Sequence, residues 1–174
     1  MSKYSISLTL IISSLLSACG GSSDIPEVNT PVNPNTTINT VSVVGTSVTV
    51  NNIIPINSGI NGGAFSIAWD VDSSDPYHVD LYLSEDNTLG DDVKFFSQNC
   101  GSSTLIYNCG TLAQFDCRFT SSNKISCGML SAFNTEKDLT SFLDTIPKQA
   151  SLIIEACNAL MDNCKTTSVA IELQ

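Results

Sequence analysis

The sequence predicts an all-β domain: a β-sandwich with one short helix before the penultimate strand and three disulfides. Several short segments alternate between apolar and polar residues, as half-buried strands do. One segment instead spaces its apolar residues as a helix does. Six of the seven cysteines lie beyond residue 99, and an even set in an exported chain indicates disulfides. Many short strands with one brief helix indicate two packed sheets.

The strands are predicted in the following order. The valines of 41–50 change parity at Gly45, which predicts a first, edge-type strand with a bulge at that glycine. Segments 65–72 and 79–84 then alternate cleanly, with a turn at 73–76 between them.

Two further strands close the domain, at 152–156 and 169–173. The short helix is predicted before them, because Thr135 and Asp138 resemble a capping box and Pro147 stops the segment. Its apolar residues at helical spacing are Leu139, Phe142, Leu143 and Ile146.

The cysteine pairs can be predicted from strand parity. Cys117 and Cys127 alternate in step with apolar neighbours, so both face the same side of a hairpin that turns at 121–124. Cys157 and Cys164 are both out of step with the apolar residues of their strands, so both face outward. If these two local pairs form, Cys100 and Cys109 remain for the third disulfide.

Zinc is the alternative explanation for the six cysteines. Structural zinc sites favour ligands about two to four residues apart, often with histidine. Here the close pairs enclose wider loops, and His78 is the only histidine. The sequence therefore favours disulfides over a metal.

The N-terminal segment indicates export. Residues 1–18 contain Lys3 and then a run rich in Ile and Leu, shorter than the roughly 20 apolar residues that cross a bilayer. Leu16-Ser17-Ala18-Cys19 resembles the lipobox of bacterial lipoproteins. The resemblance implies cleavage before Cys19 and lipidation of its sulfur, which accounts for the odd cysteine. Gly20 replaces the aspartate that implies inner-membrane retention in enterobacterial lipoproteins, so the resemblance points to the outer membrane, on either face.

The composition separates a tether from a domain. Residues 19–40 are rich in Gly, Ser, Pro, Asn and Thr, which predicts a disordered tether, and 41–174 are predicted to form one domain. Removal of 1–18 leaves six Lys and Arg against 17 Asp and Glu, a net charge of −11. This charge argues against nucleic acid and against flat binding to an anionic membrane. It suits a basic protein or a divalent cation, although it also serves solubility.

Two stretches resemble immunoglobulin-like domains. "FSIAWDVD", residues 65–72, resembles the second strand of fibronectin type III and related domains, with Trp69 as the core tryptophan. "VDLYLSEDNTLGDDVKFF" resembles a stretch of bacterial adhesion-type repeats of the CARDB class. The resemblance implies an immunoglobulin-like sandwich over 41–97 and the last two strands, whereas 98–131 depart from it. The residues that carry the second resemblance are Tyr82, Leu83, Ser84, Asp86 and Asp91 or Asp92.

No catalytic constellation is evident. Ser121 and Lys124 match the S-x-x-K of penicillin-binding enzymes, but they lie in a predicted turn rather than at a helix start. Residues 165–167 are Lys-Thr-Thr, not K-T-G. His78 lies on the exposed side of its strand, together with Asp80 and Tyr82. The sequence predicts that the protein is not an enzyme.

Two acidic segments, 70–75 and 86–92, would suit calcium if their carboxylates converged. Their order is not that of an EF-hand loop, and solvated strand ends and turns are the favoured explanation. No cofactor is assigned. The acidic residues are Asp70, Asp72, Asp75, Asp86, Asp91 and Asp92.

The loop between Cys157 and Cys164 is the predicted binding site. Leu160 and Met161 are adaptable apolar residues at its tip, where polar residues are usual, with Asp162 as a polar partner. Packing against a neighbouring loop is the alternative role for this pair. We therefore expect a non-catalytic envelope lipoprotein whose domain serves recognition, adhesion or structural support, with a protein or glycan ligand. The alternative is an inhibitor of a basic enzyme such as a lysozyme.

Overall fold

A computed structural model of the chain describes residues 36–73, 75–101, 109, 115–129, 132–134 and 136–174, all within the unit Asn33–Gln174. These residues form strands and one 3₁₀ turn at Asn61–Gly63. Within this part of the chain, no helix is long and apolar enough to cross a bilayer. The strands are β1 (Thr37–Val44), β2 (Ile54–Ile56), β3 (Ala64–Asp72), β4 (Tyr77–Ser84), β5 (Val93–Cys100), β6 (Phe115–Thr120), β7 (Lys124–Met129), β8 (Ala132–Phe133), β9 (Lys137–Asp138), β10 (Lys148–Asn158) and β11 (Cys164–Leu173).

The strands form two sheets. The first has the order β1-β3-β6-β7-β8, with β9 also paired to β7, and the second has the order β2-β11-β10-β4-β5. All pairs are antiparallel except β2 with β11. Because β3 pairs with β6 while β4 pairs with β10, the chain crosses between the sheets as in a Greek key. The second sheet matches that of immunoglobulin-like domains, with β4, β10 and β11 in the places of C, F and G, and β3 takes the place of B. In those domains the strand beside B follows the outer strand in sequence, whereas here β6, which lies beside β3, precedes the outer strand β7. The predicted sandwich is confirmed.

The core lies between the sheets and is centred on Trp69. The Trp69 side chain is 1% exposed, and its ring stacks on that of Phe115 with the centroids 4.7 Å apart. Phe96, from the second sheet, meets Phe115 edge-on at 4.9 Å. Aromatic contacts of this geometry add stability beyond the burial of apolar surface. The alternation of 65–72 thus places Trp69 in the core, as predicted.

The N-terminal part of the domain differs from the sequence prediction. Strand β1 begins at Thr37 rather than at 41, and its register shift lies between Ile38 and Thr40 rather than at Gly45. At Gly45 the chain leaves the first sheet and crosses towards β2 in the second. A Cβ atom on Gly45 would lie 2.3 Å from the carbonyl oxygen of Pro55, so only glycine permits this approach.

The predicted short helix is wrong. Leu139 begins a single turn, in which its carbonyl oxygen accepts hydrogen bonds from the N–H groups of Phe142 and Leu143 at 2.9 Å. Leu139 and Leu143 are buried, as their spacing predicted, but Ile146 is 49% exposed. Asp138 belongs to β9, and its carboxylate accepts a hydrogen bond from the Thr140 N–H at 2.8 Å. Only the short segment 139–146 then remains before Pro147, and forming the first turn of a helix is unfavourable over so few residues.

The three predicted disulfides are present. Cys117 faces Cys127 across β6 and β7, and both are buried in the core. Cys157 faces Cys164 across β10 and β11, and Cys100 is bonded to Cys109. The two local pairs that strand parity favoured are confirmed, and the third pair is the one left by elimination.

Candidate functional site

The β10–β11 loop, residues 159–163, is held in shape from its base. Cys157 and Cys164 are bonded, with their Cα atoms 4.0 Å apart. Asn158 is 1% exposed, and its amide donates a hydrogen bond to Asp162 Oδ1 at 2.7 Å. Its Oδ1 accepts from the backbone N–H groups of Asp162 and Asn163 at 3.2 and 3.4 Å. A buried asparagine and a disulfide together fix the loop.

The tip of this loop presents two apolar side chains to solvent. Leu160 is 72% exposed and Met161 is 50% exposed. Met161 adopts φ 60°, in the left-handed region, and its N–H donates to the Asn158 carbonyl at 2.9 Å. Neither side chain belongs to the buried core among the described residues, and Asp162 is engaged with Asn158 at the base.

We expect the double variant Leu160→Ala/Met161→Ala to leave stability almost unchanged, within about 0.5 kcal/mol, because both side chains are exposed. The matched control is Leu152→Ala in β10, a fully buried position, which should cost about 2–5 kcal/mol. Thermal unfolding of both proteins decides the matter. A loss in the double variant as large as in the control would show that the tip is part of the core.

A cluster of polar side chains, which the sequence did not predict, surrounds Asp80 on the outer face of the second sheet. Asp80 is 3% exposed. Its Oδ1 lies 2.9 Å from His78 Nε2 and accepts a hydrogen bond from Ser97. Its Oδ2 accepts from Lys94 Nζ and from the Tyr82 hydroxyl, each at 3.2 Å. A carboxylate on the outer face is thus covered by its own partners.

The partners keep this carboxylate charged. Burial raises the pKa of Asp80, but the hydrogen bonds from Ser97 and Lys94 and the nearby His78 together lower it below its ordinary value. Burial, followed by the charges of Asp80 and Glu155, raises the pKa of Tyr82. The Tyr82 hydroxyl therefore stays protonated and is shared between Asp80 and Glu155 Oε2, the latter at 3.1 Å.

The geometry of this cluster differs from that of a catalytic triad. In a triad, serine and aspartate bond to opposite nitrogens of the imidazole. Here Asp80 and Ser97 both lie 2.9 Å from His78 Nε2, while Nδ1 faces Asn99 Oδ1 at 2.7 Å. Ser97 also donates its proton to Asp80. The arrangement is a hydrogen-bond network across β4 and β5 whose geometry differs from that of a triad.

The two acidic segments do not converge. Asp72 and Asp75 precede β4 and Asp86 follows it, so an eight-residue strand separates them, roughly 25 Å at about 3.3 Å per residue. Asp86 instead shapes its own loop, because Oδ1 accepts from the Thr88 N–H at 3.1 Å. In the described part of the chain, the one group of side chains close enough to share a metal contains Glu155 with Cys157 and Cys164, whose sulfurs are bonded to each other.

The β4–β5 loop lines an acidic groove of about 770 Å³ at the end of the sandwich opposite the β10–β11 loop. Lys148 lies nearby and pairs with Glu85 at 2.6 Å and with Asp144 at 2.8 Å. The side chains that give the groove its character are Glu85, Asp86, Asp91, Asp92, Leu89 and Phe142.

Comparison of the chain with models of known protein families, with curated proteins and with solved structures found no match in any of the three.

Proposed function

We propose that the protein is a non-catalytic lipoprotein of the outer membrane, whose immunoglobulin-like domain, of the bacterial adhesion kind, recognises a partner through the β10–β11 loop. The observation that carries this proposal is the exposed pair of Leu160 and Met161 on a cross-linked loop. Loops at the ends of such sandwiches are where these domains bind. Because the loop is fixed before it meets a partner, little ordering entropy is lost on contact.

The anchor is tested by Cys19→Ser. We expect the variant to remain an unlipidated precursor, because the thiol accepts the diacylglyceryl group and a hydroxyl does not. Metabolic labelling with palmitate measures this directly, and Cys157→Ser/Cys164→Ser serves as a control that removes thiols without touching the lipobox. Palmitate incorporation into Cys19→Ser would refute the anchor.

A second candidate function is inhibition of a basic enzyme such as a lysozyme. The acidic groove beside Leu89 and Phe142 favours it, since carboxylates next to an aromatic ring suit a lysine or arginine side chain. Lysozyme inhibition that weakens as salt rises would support this function over recognition through the loop. The variant Asp91→Asn/Asp92→Asn should then reduce inhibition, while Leu160→Ala/Met161→Ala should not.

A further inference from the structure

The strand registers place the start of the domain and the β10–β11 loop at the same end of the sandwich. Thr37 pairs with Asp72 at the end of β3, and the chain then turns into Tyr77 at the start of β4. Tyr77 pairs with Asn158, the last residue of β10. We call this the tether end. The predicted tether therefore joins the domain at the end that carries Leu160 and Met161.

We propose that Leu160 and Met161 contact the lipid bilayer in which the chain is anchored, so that the domain rests tip-down on the membrane surface. This inference rests on the proposed function, because it requires Cys19 to be lipidated. It replaces an unidentified partner by one of stated chemistry, an uncharged phospholipid surface.

Tether length brings the tip within reach of the bilayer. Sixteen residues lie between Cys19 and Thr36, and the tether predicted there would span about 20–25 Å. The opposite end of the sandwich lies one strand farther away, roughly 35 Å for the eleven residues of β10. Tethering makes even a weak contact of the near end effective, since it occurs within one molecule.

The loop's own hydrogen bonds satisfy four of its backbone donors within the protein. A backbone N–H that enters a bilayer must find a partner within the protein. The N–H groups of Asn158, Met161, Asp162 and Asn163 all donate within the loop. These four donors therefore stay satisfied if the Leu160 and Met161 side chains enter the lipid interface. Both side chains are flexible and apolar, which suits that environment.

The charges at the tether end determine the kind of lipid. Asp72, Asp75 and Asp162 are exposed at this end against the exposed Lys165, so the end is acidic on balance and would be repelled by an anionic surface. A surface of phosphatidylcholine or phosphatidylethanolamine carries no net charge, and so we expect contact with these lipids and weaker contact as anionic lipid is added at low salt.

The test places a tryptophan at the tip of the full lipidated protein. Leu160→Trp is compared with Val48→Trp, an 85% exposed position at the opposite end, in vesicles of phosphatidylcholine with or without brominated acyl chains. Trp69 is the only native tryptophan and contributes equally to both variants. We expect the emission of Leu160→Trp to shift to the blue and to lose intensity on brominated lipid, and that of Val48→Trp to do neither.

The experiment distinguishes failure of the bilayer contact from failure of lipidation at Cys19. If both lipidated variants behave alike, the bilayer contact is overturned while the anchor stands. Protection of Leu160→Trp from an aqueous quencher in native membranes, without quenching by brominated lipid, would assign the tip to a protein or glycan instead and also overturn it. Failure to label with palmitate would refute the anchor itself. Leu160→Phe, a smaller change, with cross-linking to photoactivatable lipid repeats the test if the tryptophan variant does not fold.

Discussion

Gly63→Ala is expected to prevent stable folding of the domain. Gly63 has φ +72°, and a Cβ atom there would lie 1.6 Å from the carbonyl oxygen of Phe119 in β6. Since Phe119 is fully buried, the oxygen cannot move without displacing core side chains. Losses above about 4–5 kcal/mol are exceptional for one substitution, and this clash belongs in that class. A domain with a total stability of about 5–15 kcal/mol would be largely unfolded or close to it.

The adjacent glycine provides the control. Gly62 has φ +62°, but a Cβ atom there would meet nothing within 4 Å. Gly62→Ala should therefore cost only the left-handed backbone penalty of about 1–2 kcal/mol. Thermal unfolding of the two variants distinguishes the clash from the backbone effect. Equal melting temperatures would mean that the Phe119 backbone yields, and that the approach of Gly63 does not constrain the fold.

Asp80→Asn is expected to lower the free energy of unfolding by about 2–3 kcal/mol at neutral pH, because the amide nitrogen would face groups that are themselves donors. Lys94 is half exposed and contributes little of this, whereas the amide keeps only one oxygen, so either Ser97 or Tyr82 loses Asp80 as its acceptor. Asp91→Asn, at an exposed position, should have almost no effect. Denaturant unfolding at pH 7 measures the difference.

The stability difference between the wild type and Asp80→Asn is predicted to depend on pH. Because the pKa of Asp80 is lowered by folding, its contribution to stability is complete above its ordinary value of 3.8 and is lost as the pH falls through the folded value. The unfolded chain then binds more protons than the folded one, so acid favours unfolding. The difference in stability between the wild type and Asp80→Asn should therefore shrink as the pH falls below about 4. A gap that stays constant on acidification would contradict the assigned network.

The sequence was sufficient where a strand's own parity decides the outcome. Phe65, Ile67 and Trp69 repeat every second residue, and burial of one sheet face follows from that period alone. The hairpin disulfides were predictable for the same reason, since partners in a hairpin are close in sequence. The exposure of Leu160 could be proposed from its position at a tip, although only the structure shows that the side chain lies outside the core.

Features that depend on distant strands were missed. Asp80 lies on the outward parity of β4, which predicts exposure, yet Ser97 and Lys94 from β5 cover it. That register is set by the whole sheet and leaves no mark in the local pattern. The parity change at Gly45 was similarly attributed to a bulge, because a crossing between sheets gives the same local signal. The apolar residues from Leu139 have helical spacing, but a single turn is enough to bury Leu139 and Leu143, so no helix forms.

The placement of the disulfides has a mechanical consequence. Among the described residues, no disulfide joins one sheet to the other, and each spans only seven to ten residues of sequence. The two layers are therefore held together without covalent bonds. If the molecule is stretched between Thr36 and Gln174, the layers can separate and the polypeptide can elongate almost to its full contour, since each bridge withholds a short loop only. The oxidised domain thus yields to traction while each loop closed by a disulfide stays closed.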